Sequence, residues 1–125
     1  MRRNPEIERQ ILLGIEAEES DATLDLSAID APEDALHYHL RLLDEAGLIL
    51  AADAATLENR FAMIPIRLTM AGHEYLDTIR DDEVWQRTQE GANAVGSFSL
   101  AVLGALAKGF IREKIRKHTG MEVDL

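Results

Sequence analysis

The sequence contains no cysteine. Disulfide bonds, zinc sites built from thiolates and thiol catalysis are therefore excluded. The absence fits a reducing compartment, so we expect a cytoplasmic protein. The segment after Met1–Pro5 turns acidic instead of apolar, so no signal peptide is predicted. The longest uncharged run, residues 91–107, is too short and too polar to predict a membrane span.

The sequence also lacks the motifs of common enzymes. Gly96–Leu100 (GSFSL) is not a nucleophile elbow, because that motif needs a glycine on both sides of the serine, and no glycine-rich phosphate loop is present. The four histidines lack metal-ligand spacing. His39, beside a leucine stripe, is expected to be half-buried and hydrogen-bonded. We therefore expect no catalytic residue, no metal and no cofactor.

Positive charge is scarce and unevenly distributed. The chain has 13 basic and 23 acidic residues, which gives a net charge of −10. Residues 91–125 carry five basic and three acidic residues, whereas residues 1–30, 31–60 and 61–90 each carry a net negative charge. Non-specific DNA affinity comes mainly from neutralising phosphates, so the acidic part should repel DNA unless its arginines gather on one face.

The apolar pattern predicts a mainly helical N-terminal half. Asn4 and Pro5 are typical of a helix start, and apolar residues from Ile7 to Ile15 recur at helical spacing. Alternation around Leu24 and Leu26 predicts a short strand over residues 23–29. A second helix is predicted from about residue 30 to a stop at Gly47, with its leucines buried.

A hairpin and further helices are predicted to follow. Residues 48–50 and 61–68 read as two strands joined by a polar loop, with Pro65 confined to a sheet edge. Thr69 caps a third helix, residues 81–83 begin another, and residues 91–97 predict a break before a last helix over 98–118. The fold class is therefore mainly α with a small β-hairpin (α+β). We expect a domain at 1–80 and a helical extension at 81–125.

Two segments resemble bacterial winged-helix repressors. His39–Ile49 (HLRLLDEAGLI) is similar to the end of a recognition helix, and Leu68–Leu76 (LTMAGHEYL) to the exit from a wing. The whole chain is also similar to a family of small bacterial and phage proteins of unknown function, through Ile11–Glu16, Gly72–Asp77 and Arg80–Trp85. The resemblance implies a winged helix-turn-helix domain with a C-terminal helical extension, and it implies no assigned activity.

The winged-helix resemblance implies a DNA-binding or transcription-regulator role. The solvent face of the second helix would then be the recognition face, and the wing would add phosphate contacts through Arg60 and Arg67. The sequence departs from the repressor pattern in one respect. The segment between the first two helices leaves little room for the positioning helix of an ordinary helix-turn-helix. The alternative is an acidic protein-interaction module of a phage or mobile element that does not bind DNA. The recognition face would comprise Asp34, His37, Tyr38, Arg41 and Glu45.

The last helix has two characters. Its first half is apolar nearly all round, and such a helix must be buried, so we expect a homodimer built on it. Its second half is basic, which is typical of a dipole-complementing helix end but also of a phosphate or anionic membrane contact. The predicted dimer residues are Ala101, Val102, Ala105, Leu106, Gly109 and Phe110, and the basic cluster is Lys108, Arg112, Lys114, Arg116 and Lys117.

Overall fold

The computed structural model describes residues 1–18 and 24–125. These residues form five α-helices, one short 3-10 helix at Leu26–Ala28 and one two-stranded antiparallel sheet, so the prediction of a mainly helical chain with a small hairpin is confirmed. The chain divides into two compact units, Met1–Leu76 and Asp77–Leu125. The elements are α1 (Pro5–Ala17), α2 (Glu33–Glu45), β1 (Ile49–Asp53), β2 (Met63–Leu68), α3 (Met70–Ile79), α4 (Asp82–Val95) and α5 (Leu100–Thr119).

Helix α1 begins where its capping residues predict. The Asn4 side chain accepts a hydrogen bond from the Glu6 backbone N–H at 2.9 Å, which satisfies one of the free donors of the first turn. Pro5 occupies the first turn, where its missing N–H has no cost. Ile11 and Leu12 are fully buried and contribute to the core of the first unit.

Two further contacts fix the N-terminal residues. Arg3 donates two hydrogen bonds to the buried carboxylate of Glu8, at 2.7 and 2.9 Å. The Asn4 N–H donates to Nε2 of His39 at 2.7 Å, and His39 Nδ1 lies 2.6 Å from the Ala35 carbonyl oxygen. His39 is 1% exposed, so it is more deeply buried than expected, with both ring nitrogens in hydrogen bonds.

The predicted strand at residues 23–29 is wrong over its described part, and residue 23 lies outside the described residues. Leu26–Ala28 form a 3-10 helix instead. The carboxylate of Asp25 accepts from the Ser27 backbone N–H at 3.0 Å and from the Ser27 hydroxyl at 2.6 Å. Such local side-chain bonds favour a tight turn over an extended strand, and the bonds from Ser27 also lower the pKa of Asp25.

Helix α2 ends at Gly47 as predicted. Gly47 has φ +76°, and the Leu48 N–H donates to the Leu43 carbonyl at 3.0 Å, which is the bonding of a Schellman motif. The leucine stripe of α2 is buried, with Leu40 fully inaccessible. The glycine therefore turns the chain directly from α2 into β1.

The hairpin contains a β-bulge that changes which side chains face solvent. Ile49 pairs with Leu68 and Ala51 with Pro65, and the register shifts between Leu50 and Ala51. A bulge lets two consecutive residues of one strand oppose a single residue of the other. Ile66 and Arg67 are therefore both exposed, although simple alternation predicts that Arg67 points away from Ile66.

Helix α3 begins against the start of β1. The Thr69 N–H donates to the Leu48 carbonyl at 3.0 Å, and the Thr69 hydroxyl accepts from the Gly72 N–H at 3.0 Å, as the predicted cap requires. A Cβ placed on Gly72 would lie 1.9 Å from the Leu48 carbonyl oxygen. Only glycine allows this close approach of the two backbones.

In the second unit, α4 and α5 pack against each other as a helical hairpin. Asp81 caps α4 by accepting from the Val84 N–H at 2.9 Å, and Ser99 caps α5 by accepting from the Val102 N–H at 3.1 Å. The predicted break at 91–97 is wrong for residues 91–95, because α4 continues through Gly91 to Val95 and is capped by Gly96. A Cβ on Gly91 would meet the Leu106 side chain at 3.2 Å, so glycine lets α5 approach at this point.

Within the described residues, no helix has the length and apolar character needed to cross a membrane.

Candidate interaction surfaces

The predicted recognition face of α2 is partly covered by the β-hairpin. Asp34 and Glu45 are exposed, whereas His37, Tyr38 and Arg41 are partly buried. His37 accepts a hydrogen bond from the Met63 backbone N–H at 3.1 Å, and its side chain is 12% exposed. His37 is therefore hydrogen-bonded to the first residue of β2.

Tyr38 also contacts the hairpin. Its ring packs edge-on against Phe61, with ring centroids 5.2 Å apart. The Arg60 guanidinium lies over the Phe61 ring, 5.6 Å from its centroid. The aromatic pair anchors the residues just before β2 on α2, which is a packing role.

Arg41 is the single basic residue of α2, and it is held by a carboxylate of β1. Its Nη2 atom lies 3.3 Å from Oδ1 of Asp53. The same Asp53 oxygen accepts from the Ala55 N–H at 2.8 Å, and these two bonds lower the pKa of Asp53. The fully exposed charges that remain on α2 are the carboxylates of Glu33, Asp34 and Glu45.

The two predicted wing arginines are both exposed. Arg60 lies over Phe61, as described above, and Arg67 donates to the Leu68 carbonyl at 3.0 Å. Each therefore has a local contact within or beside the hairpin and still presents much of its surface to solvent.

The outer side of the hairpin carries an aliphatic patch that the sequence reasoning missed. We call Leu50, Ala52, Ile64 and Ile66 the sheet face. Leu50, Ile64 and Ile66 are 41%, 47% and 62% exposed. The solvent side of a hairpin is ordinarily polar, so this aliphatic cluster is a candidate interaction surface. The two-residue spacing of Ile64 and Ile66 predicts that both lie on one side of β2. The sequence does not reveal the bulge, so it does not predict which side that is.

The predicted dimer residues divide between two sides of α5. Leu106 packs on Gly91, and Phe110 lies under the Arg87 guanidinium at 4.5 Å, so both face α4. Ala101 and Ala105 are exposed on the opposite side. The homodimer stays a prediction, and a monomeric mass by light scattering at micromolar concentration would contradict it.

The predicted basic cluster also divides. Lys114 donates to Asp81 at 2.9 Å and lies 4.0 Å from Glu83. This contact raises the pKa of Lys114 and, with the Val84 N–H, lowers that of Asp81. The other four cations of the cluster are exposed and have no ion-pair partner among the described residues; they are Lys108, Arg112, Arg116 and Lys117.

No group of three histidine or carboxylate side chains in the described ranges, 1–18 and 24–125, is arranged to hold a metal ion.

Comparison with known proteins identifies the family. A family model described as "Hypothetical protein (DUF2513)" matches residues 2–99. The chain belongs to the DUF2513 family. A relative from Haemophilus influenzae, called "Uncharacterized protein", is 40% identical over 87 residues, which cover 68% of this chain and 73% of the relative. No solved structure matches the chain. The expected membership in a family of uncharacterised proteins is thereby confirmed.

Proposed function

We propose that this DUF2513 protein is a protein-interaction module of bacterial or phage origin, with no catalytic activity. Its binding surface combines the sheet face with the carboxylates of α2. The partner that fits this surface is a protein segment with one apolar and one basic side. The observation that carries the proposal is the contact between Arg41 and Asp53, because it leaves only carboxylates as fully exposed charges on α2.

Electrostatics support a basic partner. A DNA-reading helix presents Arg, Lys, Asn or Gln to base edges, and α2 presents Glu33, Asp34 and Glu45. The first unit as a whole contains six basic and fifteen acidic residues. Its field therefore attracts cationic segments and repels phosphates at distances up to about 10 Å in 0.1 M salt.

The sheet face supports an apolar contribution to binding. Full burial of one Leu or Ile side chain contributes about 1.5–3 kcal/mol. The exposed fractions of Leu50, Ile64 and Ile66 add up to the surface of about one and a half such side chains, so covering them would contribute roughly 2–4 kcal/mol. The Arg41–Asp53 contact joins α2 to the end of β1, next to Ala52 in the chain.

The test uses a synthetic amphipathic helix of leucine and lysine as the probe, with a leucine–glutamate helix as its charge control. The protein should bind the first and not the second. Two variants should each weaken binding at least tenfold: Ile64→Ser/Ile66→Ser, and Glu33→Gln/Asp34→Asn/Glu45→Gln. Leu57→Ser is the matched control, because Leu57 is fully exposed in the hairpin loop outside the sheet face. Equal binding of both helices, or equal loss with Leu57→Ser, would overturn the proposal.

A winged-helix DNA reader is the second candidate. The succession α1, α2, hairpin and α3 follows the winged-helix order, and the hairpin presents Arg60 and Arg67 as phosphate contacts. In this function α2 would lie in the major groove and Arg41 would leave Asp53 to reach a base. The variant Arg41→Glu discriminates the two functions. A DNA reader loses duplex binding in this variant, whereas the protein-interaction module keeps whatever duplex binding it has.

A further inference from the structure

We propose that α5 is a docking surface for the phosphate backbone of duplex DNA, separate from α2 and from the sheet face. The surface is the row formed by Lys108, Arg112 and Arg116, which we call the basic row. The proposal goes beyond the protein-interaction function, and neither depends on the other.

The basic row follows from helix geometry. Its members are four residues apart, so they lie on one side of α5 at a rise of about 6 Å per step and span about 12 Å. All three side chains are exposed, and Ala101 and Ala105 continue the same exposed side toward the helix start. A duplex strand carries one phosphate per about 3.4 Å of its axis, so the row matches about three to four consecutive phosphates.

The fold does not use these three charges. Lys114, on the side of α5 toward α4, already pairs with Asp81, and Arg87 of α4 lies 3.6 Å from Glu113. The members of the basic row make no ion pair with any described residue. A row of cations that forms no ion pair within the described part of the chain remains available to an external anion.

The shape of this side favours DNA over other polyanionic surfaces. A membrane-binding helix buries large apolar side chains beside its cations. Here Arg112 and Arg116 line a surface pocket with Gly109, Glu113, Glu122 and Val123, and the exposed residues of this side toward the start of α5 are Ala101 and Ala105. A protein interface with strong affinity is centred on buried aromatic or large side chains, which the row also lacks. Small neighbours and evenly spaced cations suit a rigid array of phosphates, which α5 would contact without reading sequence.

Two carboxylates beside the row oppose binding, and one of them provides an internal check. Glu113 and Glu122 line the same cavity of about 430 Å³ as Arg112 and Arg116, and Glu113 lies 3.6 Å from Arg87. Both negative charges lower the attraction of this side for phosphate, and Glu122 can be replaced without disturbing the Arg87–Glu113 pair. The substitution Glu122→Gln should therefore tighten DNA binding, by about two- to threefold, and leave the fold unchanged.

The experiment measures binding of the full chain to a random-sequence duplex of about 20 base pairs by fluorescence anisotropy across a salt series. Three phosphate contacts predict a slope of about −2.7 in log affinity against log salt, which is a loss of about 40-fold between 50 and 200 mM. The variant Lys108→Gln/Arg112→Gln/Arg116→Gln should lose this binding at least tenfold. The matched control is Arg2→Gln/Arg80→Gln/Lys117→Gln, which removes the same number of charges from exposed positions outside the basic row and outside the hairpin. The control should lose less than threefold.

Three results would overturn the proposal: no duplex binding at about 20 mM salt, an equal loss in both triple variants, or tighter binding to phosphatidylserine vesicles or polyglutamate than to the duplex. Binding of the leucine–lysine helix distinguishes a failure of this proposal from a failure of the proposed function. The basic-row variant should bind that helix as the unmodified protein does, and Ile64→Ser/Ile66→Ser should bind the duplex unchanged.

Discussion

Adding one methyl group at Gly72 should destabilise the first unit, although the substitution lies in a helix. In α3 an alanine is intrinsically better than glycine by about 1 kcal/mol. At Gly72, however, the new Cβ would lie 1.9 Å from the Leu48 carbonyl oxygen, where ordinary contact begins at 3.4 Å. The start of α3 must therefore move away from β1 by about 1.5 Å, because neither backbone can rotate out of the way.

The magnitude follows from what that movement disturbs. Overpacking in a close-packed region costs about 1–3 kcal/mol. The hydrogen bond from the Thr69 N–H to the Leu48 carbonyl, 3.0 Å long, contributes about 1 kcal/mol that would be weakened or lost. After subtraction of the helix-propensity gain, Gly72→Ala should destabilise by about 1–3 kcal/mol and lower the Tm by roughly 4–15 °C.

The assay is thermal and urea unfolding followed by far-ultraviolet circular dichroism, which reports the helices of both units. Trp85, the single tryptophan, lies in the second unit, so its fluorescence follows the unfolding of that unit. The matched control is Gly104→Ala in α5, where a Cβ would meet nothing within 4 Å. This control should stabilise by about 0.5–1 kcal/mol. If Gly72→Ala is as stable as the unmodified protein, the close approach of α3 to β1 is not a determinant of this fold.

Three further predictions concern hydrogen bonds and ion pairs. His39→Phe should destabilise by about 2 kcal/mol in urea unfolding, because it removes two hydrogen bonds of a buried ring, and an unchanged midpoint would argue against their role. Arg3→Ala should cost about 2 kcal/mol by leaving the buried Glu8 carboxylate unpaired, and adding Glu8→Gln should restore part of that loss. The pKa of Asp81 is lowered from 3.8 by Lys114 and the Val84 N–H. The stabilisation that these contacts give the folded state is therefore fully present above pH 3.8 and is lost as the pH falls through the lowered pKa. Melting curves from about pH 6 to pH 2 should show this acid loss in the unmodified protein and a smaller one in Asp81→Asn.

The candidate surfaces show where sequence reasoning stopped. Helical periodicity assigned His37 and Arg41 to the solvent side of α2 from their spacing to the leucine stripe. That calculation treats α2 as a cylinder with one buried side. In the folded chain the hairpin returns over a second side, where the Met63 N–H and the Asp53 carboxylate bind the two side chains. The sequence therefore identified the residues but not the partners that occupy them.

The sequence by itself determined the features whose causes lie within a few residues. Helix α1 begins after Asn4, and α2 ends at Gly47, because caps and positive-φ glycines act on the nearest turn. The tertiary structure alone decided the direction of Ile66, which depends on a register shift against Leu50, and the need for glycine at position 72. These features depend on residues far apart in the chain, whose approach no local pattern records. The charges of α5 depend on both, since the sequence places five cations on one helix and the packing of α4 decides that, among the described residues, Lys114 is the one that pairs with a carboxylate.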